Sequence, residues 1–231
     1  MKRIALFLIP VLLLLMLCVS CSQNVSPELY YGMYSHLSEV WAQSLAHTDA
    51  KVAFFGDSRV IGADWNAAYP DSKVINLGVG GDKVSQLLVR LNQVQVLVQT
   101  GQLQCVFLAI GGNDCLGGAD MNTFRTQYDS LLSSLQDLGL TVYVNTVAAV
   151  REGALNASRT KKANNLLKQA NEIIKELAEN HGMEVFDMAA LMDGEDGMLK
   201  AEYAVEDGVH FCAAGNQLWF DTLRPAVQLY D

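Results

Sequence analysis

From Lys51 onward the chain repeats one unit, a short apolar run followed by a longer amphipathic stretch. The runs occupy 52–55, 74–77, 106–110, 142–147 and 185–186. They are short, mostly uninterrupted and rich in Val and Phe, as a parallel strand covered on both faces requires. Between them the spacing turns helical. Met121, Phe124, Tyr128, Leu131, Leu135 and Leu138 form one stripe, opened by Asp120 and closed by Gly139. Ala163, Leu166, Leu167, Ala170, Ile173, Ile174 and Leu177 form a second, ending at Asn180-His181-Gly182. A third is expected to run unbroken from Asp82 through Val84, Leu87, Leu88, Leu91 and Val94. The alternation predicts an α/β fold, a three-layer α/β/α sandwich on a mostly parallel sheet of about five strands, spanning residues 50–231. Ligands of such sheets bind beyond the carboxyl ends of the strands.

The 231 residues are 51% hydrophobic and 18% charged, enough apolar material for one large core. Sixteen Lys and Arg against 25 Asp and Glu give a formal charge of −9. That balance argues against nucleic acid, which is bound through basic side chains.

The first twenty residues differ from the rest. Lys2 and Arg3 precede an apolar run over 4–19 that only Pro10 interrupts. This reads as a secretory signal peptide, since the run is short of the roughly 20 apolar residues of a spanning helix; a signal anchor is the alternative. Leu17-Cys18-Val19-Ser20-Cys21 followed by polar residues resembles a bacterial lipobox, with Cys18 where Leu is usual. On that reading Cys21 becomes the acylated N-terminus, residues 21–49 form a lipidated tether with a short helix, and the domain is held outside the cytoplasm on a bacterial membrane; a secreted protein is the alternative. Losing residues 1–20, which hold two bases and no acid, takes the formal charge to −11. The helix is expected to have Ser26 as N-cap, Pro27 in the first turn, and an apolar face of Tyr30, Met33, Tyr34, Leu37, Val40 and Trp41.

Four strand ends carry residue types suited to chemistry. After the first run comes Gly56-Asp57-Ser58-Arg59, where a Ser can present its hydroxyl above the sheet; the plainer reading is a turn with a capping Ser. After the second comes Gly78-Val79-Gly80-Gly81-Asp82, a loop able to aim backbone N–H groups at an oxygen, or simply a Gly-rich turn. After the third comes Gly111-Gly112-Asn113-Asp114, where the Asn amide could donate to an oxyanion or cap a turn. Near the end, Asp207-Gly208-Val209-His210 lets a carboxylate reach the imidazole three residues on. Each is weak alone.

Together, in this order, these blocks resemble those of the SGNH (GDSL-like) serine esterases, over roughly residues 50–225. Residues 76–91 look most like the platelet-activating-factor acetylhydrolase branch, and the closing Asp207-Gly208-Val209-His210-Phe211 with Gly215 and Trp219 resembles that branch and related carbohydrate esterases. The resemblance implies a flavodoxin-like sheet and a carboxylic ester hydrolase. It implies Ser58 as nucleophile, His210 as base and then acid, and Asp207 as its orienting partner. The oxyanion hole would be the Ser58 and Gly81 N–H groups and the Asn113 amide, and the resemblance implies no metal or organic cofactor. The expected substrate is a short-chain, acetyl-type ester on a carbohydrate or cell-envelope polymer. A lysophospholipase and a non-catalytic binding lipoprotein are the alternatives. Arg59 stands where the family motif has Leu, a departure expected to alter the rim of the site rather than the nucleophile or the fold.

The remaining candidates are weighed as structural. Asp57 and Asp114 are expected to tie loops; His36, His47 and His181 show no partner pattern. Cys105, Cys115 and Cys212 show no metal-ligand spacing, and Cys115 and Cys212, each two residues past a site residue, are candidates for a disulfide. Trp65, Tyr69 and Tyr203 are expected in loops near the site, packed in the core or, less readily, stacking on a sugar.

Overall fold

The computed structural model describes residues 27–231, so the expected signal peptide, Cys21, the lipobox and Ser26 lie outside the described residues. Helix α1 is Pro27–Leu45. Then come β1 (Val52–Gly56), α2 (Ser58–Ile61), α3 (Trp65–Ala68), β2 (Val74–Gly78), α4 (Val84–Val89) and α5 (Leu91–Gln99). The central part holds β3 (Cys105–Ala109), α6 (Gly112–Leu116), α7 (Met121–Asp137) and β4 (Thr141–Asn145). The chain closes with α8 (Ala157–Asn180), β5 (Glu184–Phe186), α9 (Met188–Met192) and α10 (Ala213–Val227).

All five strands pair in parallel, in the order β2-β1-β3-β4-β5. Successive residues of each strand point to opposite faces, and both faces are covered. Ala53, Phe55, Val106, Leu108, Val142 and Val144 enter a largely aliphatic layer with residues of α4, α5, α7 and α8. Val52, Phe54, Cys105, Phe107 and Tyr143 enter a largely aromatic layer with Trp65, Met188 and Trp219. Burial on two sides is why the strands read as unbroken apolar runs rather than alternating ones. In the aromatic layer Phe54 stacks on Trp65 at 3.7 Å and lies 5.2 Å from Phe107, pairs each adding about 0.5–1.5 kcal/mol beyond area burial.

Two expectations about helices need correcting. The stripe expected to run unbroken from Asp82 is two helices, α4 and α5, meeting at Arg90. Arg90 is fully buried and turns inward to hydrogen-bond backbone carbonyls, which breaks the surface pattern. In α1 the buried stripe is Tyr34, Ser38 and Ala42, whereas Met33 and Val40 are exposed. Ala42 allows close approach to α5, and Ser38 is matched there, its Oγ donating to Asn92 Oδ1 at 2.7 Å.

The strand order reverses direction between β1 and β3: the chain leaves β1 toward β2, then returns to the other side. The crevice at that reversal lies above the carboxyl ends of β1 and β3, where ligands of such sheets bind. The segments after β1, β2 and β3 all open there.

Candidate functional site

Ser58 opens α2 directly after β1, and Asp57 caps it by accepting from the Arg59 N–H at 3.0 Å. This tight strand-to-helix passage needs glycine on both sides. A Cβ on Gly56 would lie 2.1 Å from the Ala109 carbonyl oxygen, and one on Gly78 would lie 2.2 Å from the Ile61 nitrogen. Neither backbone atom can yield cheaply, so the glycines let α2 settle between the ends of β2 and β3.

The loop after β2 turns through Gly81 at φ +83°, a left-handed conformation natural to glycine. Its neighbour Gly80 faces the Ser58 Cβ, to which an added methyl would come within 3.9 Å. From the end of β3, Asn113 reaches across: its Nδ2 donates to the Asp82 carbonyl at 2.9 Å. One amide hydrogen is used in that bond and the second remains for a ligand. Asp114 accepts from the Val84 N–H at 3.2 Å, so it ties the same two loops together. Burial raises the Asp114 carboxyl to about 6, despite the donor from Val84 and the charge of Lys83. Asp57 is likewise pushed up by burial, with Arg59 opposing.

Asp207 and His210 come from the segment before α10. Asp207 Oδ1 accepts from the N–H groups of Val209 (2.7 Å) and His210 (2.9 Å), which shapes the turn. Its Oδ2 lies 2.6 Å from His210 Nδ1. On the other side of the ring, Nε2 lies 2.9 Å from Ser58 Oγ, joining residues 152 positions apart. Burial would raise the Asp207 carboxyl, but the hydrogen bonds from His210 and from the Val209 and His210 N–H groups hold it below the usual carboxylate range. The turn is braced from behind. Arg151 N–H donates to Gly208 O and Ala154 N–H to Asp207 O, both at 2.8 Å. Gly208, at φ +72°, approaches so closely that a Cβ there would stand 2.4 Å from the Arg151 oxygen. His210 and Asp207 keep 43% and 36% of their side-chain surface, so the site is open to solvent.

The structure therefore brings Ser58, Asp207, His210, Gly81 and Asn113 to one corner of the crevice. Arg59 is half-buried beside the site. Its guanidinium donates to the carbonyls of Val209 (2.9 Å), Ala148 (2.8 Å) and Ala149 (3.2 Å), and it covers the Phe211 ring at 4.6 Å. The planar, multi-donor guanidinium serves three carbonyls at once, so Arg59 ties the His210 loop to the loop after β4. Trp65 and Tyr69 are core residues, 1% and 3% exposed, which removes the sugar-stacking alternative for both. Tyr203 is half-buried against the aromatic layer. The disulfide expectation fails: Cys105, Cys115 and Cys212 are free. Cys115 is two positions past Asn113 on α6, hence on the opposite side of the helix, and enters the aliphatic core. Cys212 instead donates to the Glu202 carbonyl at 3.0 Å. His181 does have partners, its ring bridging Asp129 (2.7 Å) and Gln136 (2.9 Å) on the surface. Absent from the sequence reading is a buried cluster of Tyr34, Asp82 and Arg90 beneath the Gly81 loop. Spacing gave no signal for it, because Arg90 falls outside the stripe of Val84, Leu87, Leu88, Leu91 and Val94.

A doubly wound parallel sheet carrying a Ser–His–Asp hydrogen-bonded chain at its switch point has the layout of a serine hydrolase. The sequence profile of the GDSL-like lipase/acylhydrolase family matches residues 42–218, most of the chain, and the chain belongs to that family of hydrolases. Among solved structures, a protein of Streptococcus pneumonia provisionally named a platelet activating factor is similar at TM-score 0.73 and 20% identity, over 92% of this chain and 99% of that one. A GDSL-like lipase of Bacteroides thetaiotaomicron is similar at TM-score 0.69 and 18% identity, over 84% and 98%. An acetyl xylan esterase is similar at TM-score 0.61 and 22% identity, over 76% and 98%. At such identities the likeness establishes the fold. No curated protein matches the sequence.

Proposed function

We propose that this acylhydrolase is a lipid-anchored, extracytoplasmic serine esterase that removes short acyl groups, acetyl above all, from carbohydrate or cell-envelope esters. The observation that carries the reading is the Ser58–His210–Asp207 chain, with spacings of 2.9 and 2.6 Å, facing the Gly81 loop and the Asn113 amide. In the mechanism, Ser58 Oγ attacks the ester carbonyl while His210 Nε2 takes its proton. Asp207, accepting from Nδ1–H, fixes the tautomer in which Nε2 is basic and stabilises the imidazolium. The oxyanion is met by the N–H groups of Ser58 and Gly81 and the free hydrogen of the Asn113 amide, each such donor contributing on the order of 3 kcal/mol to the transition state. His210 then protonates the leaving alcohol, and a water activated by the same nitrogen releases the acid and frees Ser58.

The preference for short acyl groups is supported by the likeness to an acetyl xylan esterase. Hydrolysis of p-nitrophenyl acetate, butyrate and octanoate, beside Ser58→Ala, tests it. Activity falling from acetate to octanoate and lost in the variant supports the reading; a preference for octanoate redirects it to lipid esters. Anchoring is tested separately, by whether an alkyne-tagged fatty acid labels the protein in cells and labelling ends in Cys21→Ala.

A further inference from the structure

Tyr34 lies on α1, ahead of the residues 42–218 that match the family, yet its side chain reaches the catalytic corner. Tyr34 is 6% exposed, and its hydroxyl donates to the Asp82 carboxylate, whose two oxygens lie 2.6 and 2.7 Å away. Asp82, 1% exposed, also receives the Arg90 Nε at 2.8 Å. The rest of that guanidinium binds Leu77 O (3.0 Å), Gly56 O (3.2 Å) and Gln93 Oε1 (3.0 Å), which welds Asp82 to the ends of β1 and β2.

The main chain of Asp82 holds the donors of the oxyanion site. Its N–H closes the turn onto Val79 O at 3.3 Å, enclosing Gly80 and Gly81. Its carbonyl accepts from Asn113 Nδ2 at 2.9 Å and so sets the plane of that amide. Both proposed donors other than Ser58 therefore take their position from one residue, and that residue's side chain is held by Arg90 on one side and Tyr34 on the other. Buried ionic networks stiffen when every lone pair is met and loosen when a donor is withdrawn.

We propose that Tyr34 is a positioning residue for the oxyanion site, acting through Asp82, so that the N-terminal helix is part of the catalytic apparatus rather than a spacer. The inference rests on the esterase reading above.

The test compares kcat and KM for p-nitrophenyl acetate in the wild type, Tyr34→Phe, Asp82→Asn and the double variant. Ser38→Ala is the control, because Ser38 docks the same helix through Asn92 and has no bond to Asp82. Tyr34→Phe is expected to lower kcat roughly tenfold, a fraction of the 10²–10³ that deleting an oxyanion donor gives, with KM little changed. The double variant is expected to fall no further than the weaker single, since the two act through one contact. Ser38→Ala is expected to melt earlier and keep its kcat. Unchanged kcat in Tyr34→Phe, an equal loss in Ser38→Ala, or multiplying losses in the double variant overturns the proposal. Should Tyr34→Phe not fold, Asp82→Asn is read against Ser38→Ala, and an unchanged kcat there overturns it too. A Ser58→Ala protein as active as the wild type overturns the esterase reading itself, which is a separate result.

Discussion

Asp207 has two duties on two different oxygens, and paired substitutions separate them. Oδ1 holds the turn by accepting from Val209 and His210 N–H, while Oδ2 faces His210 Nδ1. In Asp207→Asn the amide oxygen must stay on the two N–H donors, so the NH₂ group turns to the imidazole. Two donors cannot share one bond, and His210 must then carry its proton on Nε2, the atom 2.9 Å from Ser58 Oγ. In that tautomer it cannot accept the serine proton. The expected loss in kcat is about 10⁴, or about 5.5 kcal/mol at 1.36 kcal/mol per decade, with a nearly unchanged melting temperature. In Asp207→Ala the same catalytic loss comes with two orphaned N–H groups. At the low end for this half-exposed turn, about 1 kcal/mol each gives roughly 2 kcal/mol of stability. For a chain of this size that is about 4–8 °C in Tm. The assay is p-nitrophenyl acetate turnover beside thermal unfolding. An Asp207→Asn protein keeping more than about a tenth of wild-type kcat, or melting as early as Asp207→Ala, would refute the assignment of the two oxygens.

Arg59→Leu, which restores the residue usual in the family motif, leaves the carbonyls of Val209, Ala148 and Ala149 without their donor; urea unfolding should show a loss of about 2–3 kcal/mol. Gly78→Ala drives a methyl against the Ile61 nitrogen and must displace α2, so about 1–3 kcal/mol of stability and much of kcat should go together; a fully active, stable variant would contradict the packing. Asp193, which accepts from Ala149 N–H at 2.8 Å, has its carboxyl raised to about 6 by burial, even with that donor and Arg59 nearby. Its folded state thus binds the proton more tightly than the unfolded chain, whose value is 3.8, and its contribution to stability falls as pH rises from about 4 to 6. Asp193→Asn should gain on the wild type across that window in urea melts at pH 4, 5, 6 and 7, and a gain that shrinks with rising pH would reverse the sign.

The sheet was legible because parallel strands buried on both faces leave short apolar runs, rich in β-branched and aromatic residues, between longer helical stripes. Even the three-residue β5 showed as Val185-Phe186. The Asp207–His210 pairing was legible because it is local, a carboxylate meeting a ring three residues on. What stayed hidden depends on direction rather than spacing. Arg59, Arg90 and Asp82 are charged residues turned inward onto carbonyls or each other, and hydropathy cannot say which charged side chain will turn. The Cys115 and Cys212 pairing failed for a related reason, since closeness in sequence to two meeting residues does not fix which way the next-but-one side chain points. Tyr34 was read as one apolar residue of a stripe, and only its hydroxyl shows what the helix is docked upon.

The uneven filling of the two sides of the sheet has an optical consequence. Trp65 and Trp219 meet edge to face at 4.9 Å, and Phe54, Phe107 and Tyr143 continue the array across β1, β3 and β4. The opposite layer holds no tryptophan among the described residues, and the third indole, Trp41, rides on α1. Coupled indole transitions in the near ultraviolet will therefore follow the order of one half of the molecule, the half against which α10 carries its Trp. Loosening beneath α4, α5, α7 and α8 will leave that signal standing until the sheet itself gives way.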